Sequence, residues 1–248
     1  MSDYAKEEIV VLADPQALAA AAADQFVEIA QAAIEKNGRF SIALAGGSTP
    51  QGTYRLLAQS PRKTEVDWAN VHIFWGDERF VPPHDPDNLW RMAQETFLDD
   101  LPIPAANVQP MPTVGLTPEA AAAQYAQTLT DFFAPGPIRF DLILLGMGDD
   151  GHTASLFPGQ PALTATTPVT AVYNAPKPPP TRLTLTYATI NQAAHILFLV
   201  TGAAKATAVA QVLDSQSAMA AWPARGVEVV NGRLYWLLDQ AAASYIRD

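Results

Sequence analysis

Between Gly146 and His152 the chain runs Gly-Met-Gly-Asp-Asp-Gly-His, placing three glycines, two carboxylates and one imidazole within seven residues. An imidazole exchanges its proton near neutral pH, and glycines let a backbone approach a ligand closely or adopt positive φ. Acid–base chemistry on a small ligand is what such a loop can perform, with His152 as the proton-transfer group and Asp150 and Gly151 beside it. The apolar run Phe140 to Leu145 just ahead predicts a buried strand that empties into this loop. Open α/β sheets bind ligands at such strand ends.

Two further clusters carry chemistry. Gly46-Gly47-Ser48-Thr49-Pro50 follows an apolar run and precedes a helical pattern, which is an anion-binding arrangement because the first-turn N–H groups of a helix are unpaired. Pro50 stands where a serine-nucleophile elbow needs glycine, so Ser48 reads as an N-cap and phosphate donor rather than a nucleophile. Asp77-Glu78-Arg79 follows another apolar run. Arg79 can fork onto phosphate or carboxylate, and Asp77 can accept from a sugar hydroxyl or orient a histidine.

Gly146, Gly148 and Gly151 also satisfy the dinucleotide-binding pattern G-x-G-x-x-G. That pattern requires a helix opening within it and an acid about 20 residues on. Pro158 and Pro161 break such a helix, and no Asp or Glu occurs from His152 to Leu213, which excludes the reading.

These loops must be held by a scaffold. Strands are predicted at Glu8 to Ala13, Phe40 to Ala45, Val71 to Trp75, Phe140 to Leu145, Val169 to Tyr173, Arg182 to Thr186, His195 to Val200 and Arg233 to Leu238. Helices are predicted from Pro15 to Lys36, Gln51 to Ala58, Asn88 to Leu98, Thr117 to Phe133 and Ala203 to Leu213, and a short Ala-rich helix closes the chain. Apolar strands alternating with helices imply an α/β fold, a single domain over residues 1–248, with a mostly parallel open sheet covered by helices on both faces.

Lys plus Arg number 15 and Asp plus Glu 25, for a net charge of −10, which disfavours nucleic acid and anionic membranes as partners. A small anion remains welcome where positive charge gathers, and Lys177, Arg182 and Lys205 all fall in the acid-free stretch. Cysteine is absent, which removes disulfides and thiolate chemistry, and the histidines show no metal-ligand spacing. With neither a secretory pattern at the N-terminus nor an apolar run long enough for a membrane span, a cytoplasmic protein is expected.

Taken together, Ala45-Gly-Gly-Ser-Thr-Pro50, Trp75-Gly-Asp-Glu-Arg79 and Leu145-Gly-Met-Gly-Asp-Asp-Gly-His-Thr-Ala-Ser-Leu-Phe-Pro-Gly159 closely resemble the 6-phosphogluconolactonases. The likeness continues through Arg182-Leu-Thr-Leu, Gly202-Ala-Ala-Lys205 and Trp236-Leu-Leu-Asp-Gln-Ala-Ala242. It implies a Rossmann-like sheet related to sugar-phosphate isomerases and hydrolysis of 6-phosphoglucono-δ-lactone in the oxidative pentose phosphate pathway, without metal or cofactor. It further implies that Gly46, Gly47, Ser48 and Thr49 line the pocket and that Asp77 and Arg79 contact substrate or fix the histidine. His152 would be the base, with Asp150 and Gly151 beside it, and Arg182 and Lys205 would hold the phosphate. The resemblance weakens at Pro223 to Val230, and no site residue is carried over there. The expected partner is a phosphorylated sugar lactone, on a monomer or small homo-oligomer. A glucosamine-6-phosphate deaminase is the nearest alternative, but its loop carries a glutamate where this chain has Ser155-Leu-Phe-Pro-Gly159. A non-catalytic sugar-phosphate sensor is a second alternative, opposed by the retained His152, Asp150 and Arg79.

Overall fold

The computed structural model describes residues 7–246; most of the N-terminal stretch on which the reading of no secretory signal rests lies outside them. Among the described residues nine strands form two sheets: β1 (Glu7–Leu12), β2 (Phe40–Leu44), β3 (Val71–Trp75), β4 (Asp77–Arg79), β5 (Leu142–Leu145), β6 (Val169–Val172), β7 (Arg182–Leu185), β8 (His195–Val200) and β9 (Arg233–Asp239). The helices are α1 (Pro15–Asn37), α2 (Ser48–Leu57), α3 (Arg62–Glu65), α4 (Leu89–Thr96), α5 (Pro118–Phe133), α6 (Tyr187–Ile190) and α7 (Ala206–Leu213).

Six strands in the order β1-β9-β8-β5-β2-β3 make one wholly parallel sheet. Its central strands are apolar because both faces are covered. Phe40 of β2 meets Phe26 of α1 with ring centroids 5.3 Å apart, while Phe74 of β3 meets Phe132 of α5 at 4.9 Å. In the β2–β3 register Phe40 pairs with Val71 and Ala43 with Phe74, an odd offset, so the two aromatic contacts lie on opposite faces. Between β8 and β9 the register partners Phe198 and Trp236 stack at 3.8 Å, nearly parallel. Trp68, Trp75 and Trp236 are all buried, as their apolar settings suggest.

Helix α1 is long and apolar enough by length and composition to cross a membrane, contrary to the expectation that no such stretch occurs. Its Leu18, Ala22, Phe26 and Ala30 are fully buried in the protein core, so its apolar stripe is already covered.

The structure differs from four expectations. Strands β6 and β7 do not join the parallel sheet: with β4 they form a small antiparallel sheet of order β4-β7-β6. Asp77-Glu78-Arg79 is therefore an extended strand, not a loop. The C-terminal Ala-rich segment forms turns over residues 240–245 instead of a helix. Ser48 is the first residue of α2, and the N-cap is Gly47 at φ 104°, a conformation that a Cβ disfavours.

Chain order sets the position of the site. From β2 the chain moves outward to β3, whereas β5, on the other side of β2, leads away through β8 to β9. The connections after β2 and β5 thus diverge, and the crevice outside their carboxyl ends is the topological switch point of the sheet.

Candidate active site

The two loops that diverge there are the ones singled out by composition. Together with the ends of β3 and β8 they enclose a cleft of about 370 Å³, lined among others by Gly46, Gly47, Ser48, Thr49, Asp77, Arg79, His152, Arg182 and Lys205. Of the residues read as functional, only Asp150 and Gly151 are missing from its wall.

Buried tyrosines fix the strand ends. Tyr54 Oη on α2 donates to Ala45 O at 2.8 Å and accepts from Ala45 N at 3.1 Å, holding the turn after β2. Tyr125 Oη accepts from Trp75 N at 2.9 Å at the end of β3. Desolvation raises both phenols, so they stay protonated and able to donate. Helix α2 then begins at the cleft with no side chain capping its first turn, which leaves N–H groups and the positive end of its dipole for an anion.

The Gly148–His152 turn is closed by hydrogen bonds from Gly148 N to His152 O at 2.8 Å and from Gly151 N to Gly148 O at 3.1 Å. It brings His152 Nδ1 to 2.5 Å from Asp150 Oδ1. Burial alone would raise the Asp150 carboxyl, but hydrogen bonding and charge attraction from His152, with Lys177 adding to them, hold it well below the usual carboxylate range. An ionised carboxylate only accepts, so Nδ1–H donates to it and Nε2 is the ring nitrogen outside the pair. The imidazole packs on Phe157 at 4.5 Å, and the Arg182 guanidinium lies 5.4 Å from the centroid of the same ring.

Asp77 was expected to contact substrate or fix the histidine. It lines the cleft, where its carboxylate accepts from Ser155 Oγ at 2.7 Å, and the group on His152 is Asp150. The Asp77–Ser155 bond docks the histidine loop onto the small sheet, aided by a 3.2 Å bond from Ser155 N to Thr184 Oγ1. Gly151, expected to bind substrate, is absent from the cleft wall: it sits at φ 73°, and a Cβ there would come within 2.6 Å of Trp222. Gly148 is the glycine the dyad requires, since a Cβ on it would lie 2.0 Å from His152 Nδ1.

Four cations face the cleft. Arg79 and Arg182 are register partners across β4 and β7. Arg182 is buried; its Nε donates to Pro179 O and its Nη2 to Lys177 O and Pro178 O, leaving Nη1 for an anion. Arg79 Nη1 donates to Asp87 O, while its Nε is buried without a partner. Lys177 pairs with Asp149. Burial lowers the Lys205 ammonium and the Lys177 charge acts in the same direction, opposed by Asp149 and Asp150, so an arriving anion relieves both effects.

Sequence reasoning missed several supports. Glu78 accepts from Arg79 N, Leu89 N and Trp90 N at 2.8, 2.8 and 3.0 Å, tying β4 to the start of α4. Burial pushes its carboxyl up to about 8 against the pull of those N–H groups. Asp239 accepts from Gly202 N through both oxygens at 3.0 Å and from Ala242 N at 2.7 Å, fixing the turn that carries Lys205. Thr201, at the end of β8, shares a 2.9 Å hydrogen bond with Thr49 across the cleft. Glu78 falls in the charged triplet but its supporting role has no local signal, and only the apolar run before Thr201 and the charge at Asp239 mark the other two positions in the sequence.

The family described as glucosamine-6-phosphate isomerases/6-phosphogluconolactonase matches residues 13–236. A 6-phosphogluconolactonase of Nostoc sp. is 42% identical over 242 residues, covering 96% of this chain and 98% of that protein. The Mycobacterium leprae 6-phosphogluconolactonase is 39% identical over 245 residues, 96% of this chain and 98% of its own. Among solved structures, 6-phosphogluconolactonase from Trypanosoma brucei superposes with a TM-score of 0.84 at 36% identity, covering 98% of this chain and 99% of that one. The glycine turns, the histidine loop and the cationic wall therefore sit in a chain that belongs to the glucosamine-6-phosphate isomerase/6-phosphogluconolactonase family, on its lactonase side.

Proposed function

We propose that this chain hydrolyses 6-phospho-D-glucono-1,5-lactone to 6-phospho-D-gluconate, with His152 as general base and no metal in the reaction. The observation that carries the proposal is His152, hydrogen-bonded to Asp150, in a cleft that cationic side chains and an uncapped helix start also line. The relatives named 6-phosphogluconolactonase, near 40% identity over almost the full length, support the substrate.

In this reading Nε2 takes a proton from water as the water oxygen bonds to the lactone carbonyl carbon. The carbonyl electrons move onto its oxygen, and backbone N–H groups of the glycine turns stabilise that charge. Collapse of the tetrahedral intermediate breaks the bond to the ring oxygen, which takes the proton back from the imidazolium. Asp150 keeps the ring oriented and favours the imidazolium through both transfers. Arg182 and Lys205 hold the phosphate, with Arg79 and Lys177 supplying further positive field in a chain that is acidic overall. The unbroken family match over residues 13–236 supports one domain for the whole chain.

The test is the disappearance rate of freshly prepared lactone with and without protein, at a pH where spontaneous opening is slow. Acceleration proportional to protein concentration is the expected result; a rate equal to the spontaneous one would leave a sugar-phosphate binding protein without hydrolysis.

A further inference from the structure

The segment from Ala218 to Gly226 carries no residue assigned to catalysis, yet it touches both ends of the histidine loop. At one end Ala224 N donates to Gly151 O at 2.8 Å, and Trp222 lies over Gly151 so closely that a Cβ there would meet Trp222 Cε3 at 2.6 Å and Trp222 Cα at 3.3 Å. At the other end Gly159 N donates to Ala220 O at 3.1 Å. The segment is itself seated from behind: Tyr187 Oη donates to Pro223 O at 2.5 Å, and Tyr187 and Met219 fill the space beside Gly226, which has room for no Cβ.

Gly151 stands between the two members of the dyad, in a left-handed conformation at φ 73°. The Asp150–His152 contact spans only two residues, so its length depends on the torsions at Gly151. A glycine has many alternative torsions, and the indole above it removes most of them.

We propose that Trp222 is a positioning residue for the general base: packed on Gly151, it holds His152 and Asp150 in hydrogen-bond contact. The inference rests on the reading of His152 as base. It extends the catalytic assembly to a segment that is absent from the cleft wall.

The experiment compares Trp222→Ala, Trp222→Phe, Tyr187→Phe, Asp150→Asn and the Asp150→Asn/Trp222→Ala pair by lactone hydrolysis, by affinity for 6-phosphogluconate and by the pH dependence of kcat. Trp222→Ala is expected to lower kcat about tenfold or more, because misplacement by a fraction of an ångström is enough. Affinity for 6-phosphogluconate is expected to stay near that of the parent. The acid limb of kcat should move to lower pH, since separation from Asp150 withdraws support from the imidazolium. Trp222→Phe keeps a ring over Gly151 and should recover most of the rate. Tyr187→Phe, a mild change remote from the loop, should shift kcat in the same direction by less, and it serves if Trp222→Ala fails to fold. In the double variant the Trp222 change should cost nothing beyond Asp150→Asn, because both act on one contact.

Unchanged kcat and acid limb in folded Trp222→Ala, or in Tyr187→Phe where the former does not fold, would overturn the inference. So would full additivity in the double variant. Failure of the base reading itself is recognised separately, by undiminished turnover in His152→Ala, and would remove this inference with it.

Discussion

Replacing Gly148 by alanine isolates the geometry of the dyad from everything else in the cleft. Gly148 is not among the positive-φ glycines, so the backbone accepts alanine without torsional strain. The added methyl, however, would lie 2.0 Å from His152 Nδ1, 2.3 Å from His152 Cε1 and 2.3 Å from Asp150 Oδ1. To reach an ordinary contact of 3.4 Å the ring must retreat by roughly 1.4 Å, a displacement larger than the roughly 0.5 Å spread of hydrogen-bond lengths. Both partners of the 2.5 Å bond are pushed at once, so the dyad leaves its place in the cleft. A shift of about 1 Å in a catalytic group costs on the order of 10² in rate, or about 2.7 kcal/mol of transition-state stabilisation. The assay is proton release from fresh lactone in weak buffer, corrected for spontaneous opening, with the melting temperature recorded alongside. Gly148→Ala should melt within a few degrees of the parent, bind 6-phosphogluconate comparably and turn over about a hundredfold more slowly. A folded Gly148→Ala protein with kcat within about threefold of the parent would refute the claim that this contact is needed for turnover.

Asp150→Asn should lower kcat on the order of 10² and move its acid limb to lower pH, because the negative charge that favours the imidazolium is gone. The Asp150 carboxyl is held below its ordinary value of 3.8. Its contribution to stability is therefore present above that pH and lost as pH falls below it. Melting temperatures taken from pH 4 down to pH 2 should accordingly fall more for the parent than for Asp150→Asn, and equal slopes would count against the ion pair. Lys205→Ala should raise KM about tenfold to a hundredfold with a smaller effect on kcat, the loss expected for one hydrogen bond to a charged group. Asp239→Ala should shift KM in the same direction by less, since it frees the Gly202 turn while keeping the ammonium.

Much of the scaffold was legible because its signals are local. The runs Val71–Trp75 and His195–Val200 form strands with the predicted bounds, and Asn88 and Thr117 cap helices as their side chains allow, accepting from Arg91 N and Ala120 N. The three glycine-and-charge clusters converge because each follows a strand of one sheet or, for Asp77 to Arg79, the turn at Gly76 that leaves it. Gly76 N still donates to Leu44 O of β2, while its own carbonyl accepts from Leu185 N of β7. What escaped depends on distant pairing. Asp77 to Arg79 reads as a charged loop until Arg182 to Thr184, about a hundred positions away, pairs with it. Composition also does not say which of several glycines faces the histidine: Gly148 does, and Gly151 supports the loop from the far side. Ser48 satisfies the pattern of a cap, but Gly47 takes that place because positive φ is needed to turn from β2 into α2.

The most direct test of the account is turnover of fresh 6-phosphoglucono-δ-lactone by His152→Ala, set beside its affinity for 6-phosphogluconate. Turnover lower by about 10² to 10⁴ with affinity largely retained is the expected result. Undiminished turnover in a folded His152→Ala protein would contradict it.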